Sequence, residues 1–330
     1  MIGRREFITL LGGVTTAWPL TAGAQQSERM RRIGVLSNIA EDDPQMEARF
    51  GAFRQGLEKL GWSEGRNVRI DTRFGAADAE QMQARAKELL ALQPDVILAN
   101  SAAVIRVLQQ VNRTIPTVFV AVSDPIGAGL IASLARPGGN FTGLQNYEAS
   151  ITGKWLAMLK EIEPRLTRAG LVGDSQSTDF GYFLRASEAV APSLVIDIVP
   201  LGVENAADIE RAIDSFARVA NGGLVVPPGS TTILHRNLII ALAARHRLPA
   251  VYAFRFFVAA GGLMSYATDL AEQYRQAATY VDRILRGEKP ADLPVQAPTK
   301  FETVVNLKTA AALGLTVPPG ILVGADEAID

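Results

Sequence analysis

The chain has no cysteine and only two histidines, His235 and His246, in 330 residues. The first absence excludes disulfides, thiolate metal sites, a cysteine nucleophile and a lipidated cysteine anchor. The second leaves little material for metal binding or a histidine base, so neither a metal nor a cofactor is expected. An excess of charge of either sign is lacking too. Lysine and arginine number 33 against 34 aspartates and glutamates, which provides no general attraction for nucleic acid or anionic lipid. There is no short repeat, heptad seam or low-complexity tract, so solenoids and coiled coils are excluded. What is present is a globular balance, 48% hydrophobic and 20% charged, in a chain long enough for two domains.

The first residues read as an address rather than as fold. Arg4-Arg5 precede the mildly apolar run Phe7 to Leu20, and Ala22-Gly23-Ala24 supplies a small-residue cleavage pattern. Residues 1–24 are therefore expected to be an export signal of twin-arginine type, with an ordinary Sec signal as the alternative. The run is too short for a membrane span. The mature chain then begins near Gln25 and is a soluble periplasmic protein.

From residue 31 the pattern is strand, helix, strand. Ile33 to Leu36 is a strand ending at Ser37-Asn38, and Pro44 opens a helix whose Phe50, Phe53, Leu57 and Leu60 recur at three and four. Asn67 to Arg73 is the second strand, with Asp78 capping the next helix; Val96 to Ala99 ends at Asn100-Ser101; Val118 to Val122 ends at Ser123-Asp124-Pro125. A short helix is expected over Ile126 to Ala135. Four such units predict a doubly wound parallel sheet with its polar strand ends on one edge. The pattern restarts after Gly143. Ala169 to Val172 ends at Gly173-Asp174-Ser175, Gly223 to Val226 ends at Pro227-Pro228-Gly229-Ser230, one helix is expected from Thr231 to Arg245, and Ala250 to Tyr252 is a short strand. Asp269 caps a long helix through Leu285, and Pro290, Pro294 and Pro298 mark an irregular return. The expectation is a second parallel sheet facing the first across a cleft.

These residues resemble a known family. Arg32-Ile33-Gly34-Val35-Leu36, Phe53-Arg54-Gln55-Gly56-Leu57, Gly61-Trp62, Gly65-Arg66-Asn67-Val68 and Pro94-Asp95-Val96-Ile97 are similar to the periplasmic substrate-binding proteins of ABC transporters of the tryptophan/tyrosine type. The most specific segment is Ser123-Asp124-Pro125 with Gly127-Ala128-Gly129-Leu130, followed by Leu134-Ala135-Arg136-Pro137-Gly138-Gly139-Asn140. The resemblance runs from about residue 31 to the 308–315 region. It implies a type I periplasmic-binding-protein fold, α/β with two lobes, that closes on a small solute and hands it to an ABC permease. One departure is local: Asn100-Ser101-Ala102-Ala103 stands where the family often carries a Ser and a Thr close together.

On this reading residues 31–141 plus about 267–290 form the amino-terminal lobe, and residues 142–266 plus about 291–330 the carboxyl-terminal lobe. Gly143, Ser265 and Pro290 mark the hinge. Ser37, Asn38, Asn100, Ser101, Ser123 and Asp124 are the ligand candidates of the first lobe, where helix-start N–H groups and hydroxyls suit a carboxylate and Asp124 an ammonium. Asp174, Gly229, Ser230, Thr231 and Tyr252 are those of the second lobe, with Phe180 and Phe254 as stacking surfaces for an aromatic solute. The competing reading of the same residues is N-caps and turn formers, the commonest work of Ser, Asn and Asp. The expected partners are a small solute, such as an amino acid or aromatic compound, and an ABC permease, with the protein a monomer or weak dimer. A membrane receptor instead of a permease is the alternative.

Enzyme patterns are weak. Gly173-Asp174-Ser175 matches the nucleophile block of GDSL-type hydrolases, yet neither histidine has an aspartate three residues before it. Gly127-x-Gly129-x-x-Ala132 fits a dinucleotide fingerprint only in the fourth strand–helix unit, and Gly153-Lys154 lacks the rest of a phosphate loop. No catalytic residue is therefore nominated.

Overall fold

The computed structural model describes residues 29–39, 43–74 and 79–330. The export signal and the Asp78 cap lie outside the described residues. In the first lobe β1 (Arg31–Ser37) sends Ile33 and Val35 to one face of its sheet and Leu36 to the other, the period-two alternation of a strand buried on both sides. It is followed by α1 (Pro44–Lys59), β2 (Val68–Phe74), α2 (Ala79–Ala91), β3 (Val96–Asn100), α3 (Ala102–Val111), β4 (Thr117–Val122) and β5 (Phe141–Gln145). The five strands are all parallel, in the order β2-β1-β3-β4-β5. Phe50, Phe53 and Leu57 of α1 pack over one face; Met82 and Leu89 of α2, with Val104, Ile105 and Leu108 of α3, pack over the other.

The second lobe repeats the plan. Its elements are α4 (Ile151–Ile162), β6 (Arg168–Asp174), α5 (Thr178–Val190), β7 (Asp197–Val203), α6 (Ala206–Phe216), β8 (Gly222–Val226), α7 (Ser230–Leu234), α8 (Arg236–Arg245), β9 (Ala250–Tyr252), α9 (Arg255–Ala259) and β10 (Met264–Thr268). The chain then returns to the first lobe as α10 (Leu270–Leu285), whose Tyr274, Ala277 and Val281 join the α1 side of that core. It finishes in the second lobe with β11 (Phe301–Asn306), α11 (Leu307–Leu313), α12 (Pro319–Val323) and β12 (Glu327–Ile329). The seven-stranded sheet has the order β12-β11-β10-β9-β8-β6-β7. Its stretch β7-β6-β8-β9-β10 therefore has the same order as the first sheet.

Several expectations change. Residues 125–135 are a chain of turns, not a helix. The Asp124 carboxylate accepts the N–H of Gly127 at 2.7 Å, and Gly129 takes φ +67°; a side chain that occupies a backbone donor and a left-handed residue two positions on both oppose helix growth. The expected helix 231–245 is interrupted at His235 into α7 and α8. The irregular return contains ordered strands, and β11 runs antiparallel to β10, so the second sheet is mixed. The reason is positional. The chain leaves the end of β10 for the first lobe and comes back at that same end, so it must enter the sheet in the opposite direction.

The lobe crossings also fall later than the sequence suggests. β5 stays in the first sheet through Gln145, and the chain crosses over residues 146–150. The second crossing is at Thr268-Asp269, between β10 and α10. Residues 291–296 still run with the first lobe: the Leu293 carbonyl accepts the Thr142 hydroxyl at 2.7 Å, and Leu144 bridges Gln296. The third crossing is therefore residues 297–300, beyond Pro290. Gly143 and Ser265 lie inside strands, a few residues before the crossings.

Gly143 has a strict local reason. Its φ is +154°, and a Cβ there would stand 2.1 Å from the Phe119 carbonyl oxygen, at the place where β4 carries a register shift and Ala121 sits at φ +57°. The bulge and the missing side chain fit each other. Gly143→Ala should lower unfolding free energy by at least about 2 kcal/mol, read as an earlier urea midpoint of the mature chain. An unchanged midpoint would show that β5 can shift away from the bulge.

Candidate functional site

Identical strand order in the two lobes places their switch points opposite each other. In an open α/β sheet the crevice forms where neighbouring strands are followed by helices on opposite faces, outside the carboxyl ends. In the first lobe that position is between β1 and β3, and in the second between β6 and β8. A cavity of about 520 Å³ lies there, within the range of small-molecule sites. Asn38 follows β1, Asn100 ends β3 and Ser101 caps α3; opposite them stand Asp174 at the end of β6 and Gly229-Ser230 after β8.

The structure thus brings six of the eleven nominated ligand residues together. Asn100 Oδ1 accepts the N–H of Asn38 at 3.4 Å, and the Ser101 hydroxyl accepts the N–H of Val104 at 3.5 Å. Ser101 does this at φ +69°, an unfavourable backbone region for a residue with a side chain. The remaining five stand off the cavity. Ser37 is buried beneath the strand end, its hydroxyl 3.7 Å from the Met46 sulfur. Ser123 is fully buried. Asp124 is committed to its own turn through Gly127, and Thr231 belongs to the first turn of α7. Tyr252 is buried and stacks on Phe257, ring centroids 4.9 Å apart. Ser123, Asp124 and Tyr252 share one cause: the first two follow β4 and the third ends β9, each one strand outward from a switch point.

Of the aromatic candidates, Phe254 does line the cavity and stacks on Phe256 at 5.1 Å, whereas Phe180 packs beneath Gly173. Phe74, Ile39 and Ile233 complete the apolar wall. The nucleophile-like Ser175 donates its hydroxyl to Glu204, while His246 pairs separately with Asp214 at 2.6 Å.

Charged residues were missed by the sequence reading. Asp43, Arg49, Arg106, Asp179 and Arg236 all line the cavity. Arg49 was the most legible. It lies three after Met46 and four before Phe53, on the buried stripe of α1, where a charge is out of place. Asp179, in the first turn of α5, reads in sequence as ordinary helix-start chemistry.

Hydrogen bonds cross the cleft from lobe to lobe. Asn38 Nδ2 donates to the Ser230 hydroxyl at 2.9 Å, the Asp124 N–H donates to Asp179 Oδ1 at 3.3 Å, and Arg106 donates to the Gln176 carbonyl at 3.3 Å. The lobes are therefore closed on the cavity. The arrangement can enclose and orient a small molecule, with polar strand ends from both sides and an apolar wall.

The comparisons agree with this geometry. The family model described as ABC transporter substrate binding protein matches residues 32–329. The chain belongs to the ABC transporter substrate-binding proteins. Among its relatives is a tyrosine-binding protein of Clostridioides difficile (strain R20291), 24% identical over 289 residues that cover 88% of this chain and 82% of the relative. A conserved domain protein of Vibrio cholerae superposes with a TM-score of 0.85 at 26% identity, covering 91% of this chain and all of that one. An ABC domain of Streptococcus pneumonia solved in complex with L-Trp superposes at 0.84 and 23% identity, again over 91% of this chain and 100% of that one. The type I periplasmic-binding-protein fold implied by the sequence is thus shown, and so is the substrate-binding role.

Asp179 gives this substrate-binding protein a pH-dependent element. Burial pushes its carboxyl up from the usual 3.8 to about 6, against the N–H groups of Asp124 and Ser123 and the nearby Arg106, and with help from the Asp124 carboxylate. The folded value lies above the unfolded one, so the protonated form favours folding, and that contribution is lost as pH rises through about 6. Asp179→Asn, which keeps an acceptor for the Asp124 N–H, should match wild type near pH 4. At pH 7.5 it should be more stable by about 1–3 kcal/mol. Urea unfolding at several pH values measures this; a difference independent of pH would exclude the assignment.

Proposed function

We propose that the protein is exported to the periplasm, captures one small solute between its lobes without chemical change, and delivers it to the permease of an ABC transporter. The observation that supports this most is a cavity walled by strand ends from both lobes and bridged by hydrogen bonds across them. A solute touching both walls favours the closed form by its extra contacts there, which makes closure report occupancy. An aromatic amino acid or a related aromatic compound is the solute class we favour. The relatives are described with tyrosine and L-Trp, and Phe254 with Phe74 offers a ring-sized apolar wall.

The test is a thermal-shift screen of the mature chain, unfolded and refolded to strip any bound solute. A ligand at a hundredfold over its dissociation constant should add about 2.7 kcal/mol of stability. Small-angle scattering should show a smaller radius of gyration with the same ligand. Asn38→Ala removes the bridge to Ser230, which exists only with the lobes together; it should weaken binding about five- to tenfold, the equivalent of one ordinary hydrogen bond of about 1 kcal/mol. A saturable ligand that leaves the scattering profile unchanged would refute closure as the binding step.

A further inference from the structure

Arg49 is a buried cavity residue whose charge no group among the described residues answers. It is 5% exposed, and among the described residues no carboxylate pairs with its guanidinium and no acceptor takes its hydrogen bonds; its one close partner is the Phe256 ring, 5.8 Å away on the second lobe. Burial lowers its pKa, an effect only partly offset by Tyr274 and Asp43. The carboxylates around the cavity are in the opposite condition. Asp43 accepts the N–H of Gln45 at 2.8 Å, Asp174 that of Gln176 at 2.9 Å, and Asp179 that of Asp124. Each negative wall group has a donor already, and the buried positive one has no acceptor.

A wider surface hollow of about 700 Å³ at the amino-terminal ends of β1, β2 and β3 also gathers arginines and aspartates, but they neutralise one another: Arg32 lies 3.2 Å and Arg69 3.1 Å from Asp71, and Arg31 lies 3.2 Å from Asp95. A buried guanidinium with five donors and no anion is costly unless something else supplies the anion.

Resting on the solute-binding reading above, we infer that Arg49 is the carboxylate-binding group of the cleft and that the solute is an organic carboxylate with an apolar, ring-sized body. The carboxylate takes the guanidinium fork, and the body lies against Phe254, Phe74 and Ile233. The planar fork matches a carboxylate through two parallel hydrogen bonds, which a lysine ammonium does not reproduce.

The experiment is isothermal titration of the refolded mature chain with a panel of aryl and branched-chain carboxylates, each beside its primary amide. 3-Phenylpropionate, 3-phenylpropanamide and L-phenylalanine form the core set, and neutral nucleosides and sugars form a second panel. At least one carboxylate should bind, its amide at least tenfold more weakly. Arg49→Gln should cost that carboxylate at least tenfold while leaving the amide unchanged, and Arg49→Lys should fall between. The amino acid compared with its desamino partner shows whether an ammonium is read as well; binding of either through Arg49 supports the inference. Arg49→Met should raise the thermal midpoint of the ligand-free chain, because it removes an unpaired buried charge. A lowered midpoint with unchanged affinity marks Arg49 as structural and overturns the inference. An amide that binds as tightly as its acid overturns it too, as does a solute from the neutral panel alone, although solute binding then stands. A chain that binds nothing in either panel overturns both readings.

Discussion

The geometry of the cleft depends on a buried polar knot at the lobe crossings. Asn146, on the first crossing, accepts through Oδ1 from the Thr268 hydroxyl at 2.8 Å and from Gln273 Nε2 at 3.0 Å. Thr268 ends β10 at the second crossing, and Gln273 lies on α10, so one amide oxygen ties both connections to the first lobe. The hydroxyl of Tyr147 adds a second tie, accepting the Thr268 N–H at 3.1 Å while donating to the Ala253 carbonyl. Gln273 Oε1 in turn accepts from Ala121 at 3.4 Å, on the bulge that lines the cleft. Asn146, Tyr147, Ala253, Thr268 and Gln273 are all buried. Leaving one unpaired costs about 1–3 kcal/mol, so the lobes cannot rotate freely about the crossings. The bonds through Asn146 Oδ1 hold the crossings, while Asn146 Nδ2 in the same knot is buried with no hydrogen-bond partner.

Much of the fold was legible because it follows from local patterning. Apolar runs with short connections specify parallel strands, and the positions of β1, β3, β4, β6, β8 and β9 follow from them. What patterning could not supply is pairing. Whether a strand end faces the cleft depends on its place in the sheet, and strand order is set by tertiary packing. Asn38, Asn100, Ser101, Asp174 and Ser230 border a switch point and line the cavity; Asp124 and Tyr252 have equally suitable chemistry and sit one strand away. Asp124 shows the second limit. Its side chain has a local partner in the Gly127 N–H, and a carboxylate already engaged in its own turn is a poor candidate for a distant one. The antiparallel β11 shows a third, since its direction is set by where the chain re-enters the lobe.

Charge is distributed in two ways within one molecule. On the exposed edge of the first sheet arginines and aspartates stand beside each other, partly hydrated, where such pairs are worth about 0–1 kcal/mol each. In the cleft two charged residues, Arg49 and Asp179, are buried, and neither forms an ion pair among the described residues. Asp179 is satisfied by backbone N–H groups from the other lobe and still has its carboxyl pushed up to about 6 by burial. Arg49 is desolvated against an aromatic ring that also comes from the other lobe. A protein selected for stability alone would have paired these residues or replaced them with apolar ones, as the rest of the α1 stripe shows with Met46, Phe50, Phe53 and Leu57.

Both desolvated groups are buried across the lobe interface, and this connects the electrostatics to the motion. Phe256 and the Asp124 turn reach Arg49 and Asp179 only when the lobes meet, so closing an empty cleft strips water from a cation that gains no anion. Separation of the lobes returns that hydration. On the proposed reading, Arg49 weighs against closure of the empty cleft, opposing the hydrogen bonds that bridge the lobes, and is the same residue that would hold a carboxylate in the closed form. A ligand shifts such an equilibrium only by the difference in its affinity for the two states. A guanidinium that is solvated when open and dehydrated when closed makes that difference large for an anion and small for a neutral solute of the same shape. Selectivity in this cleft would then come less from the contacts added on closing than from the penalty that only an anion removes.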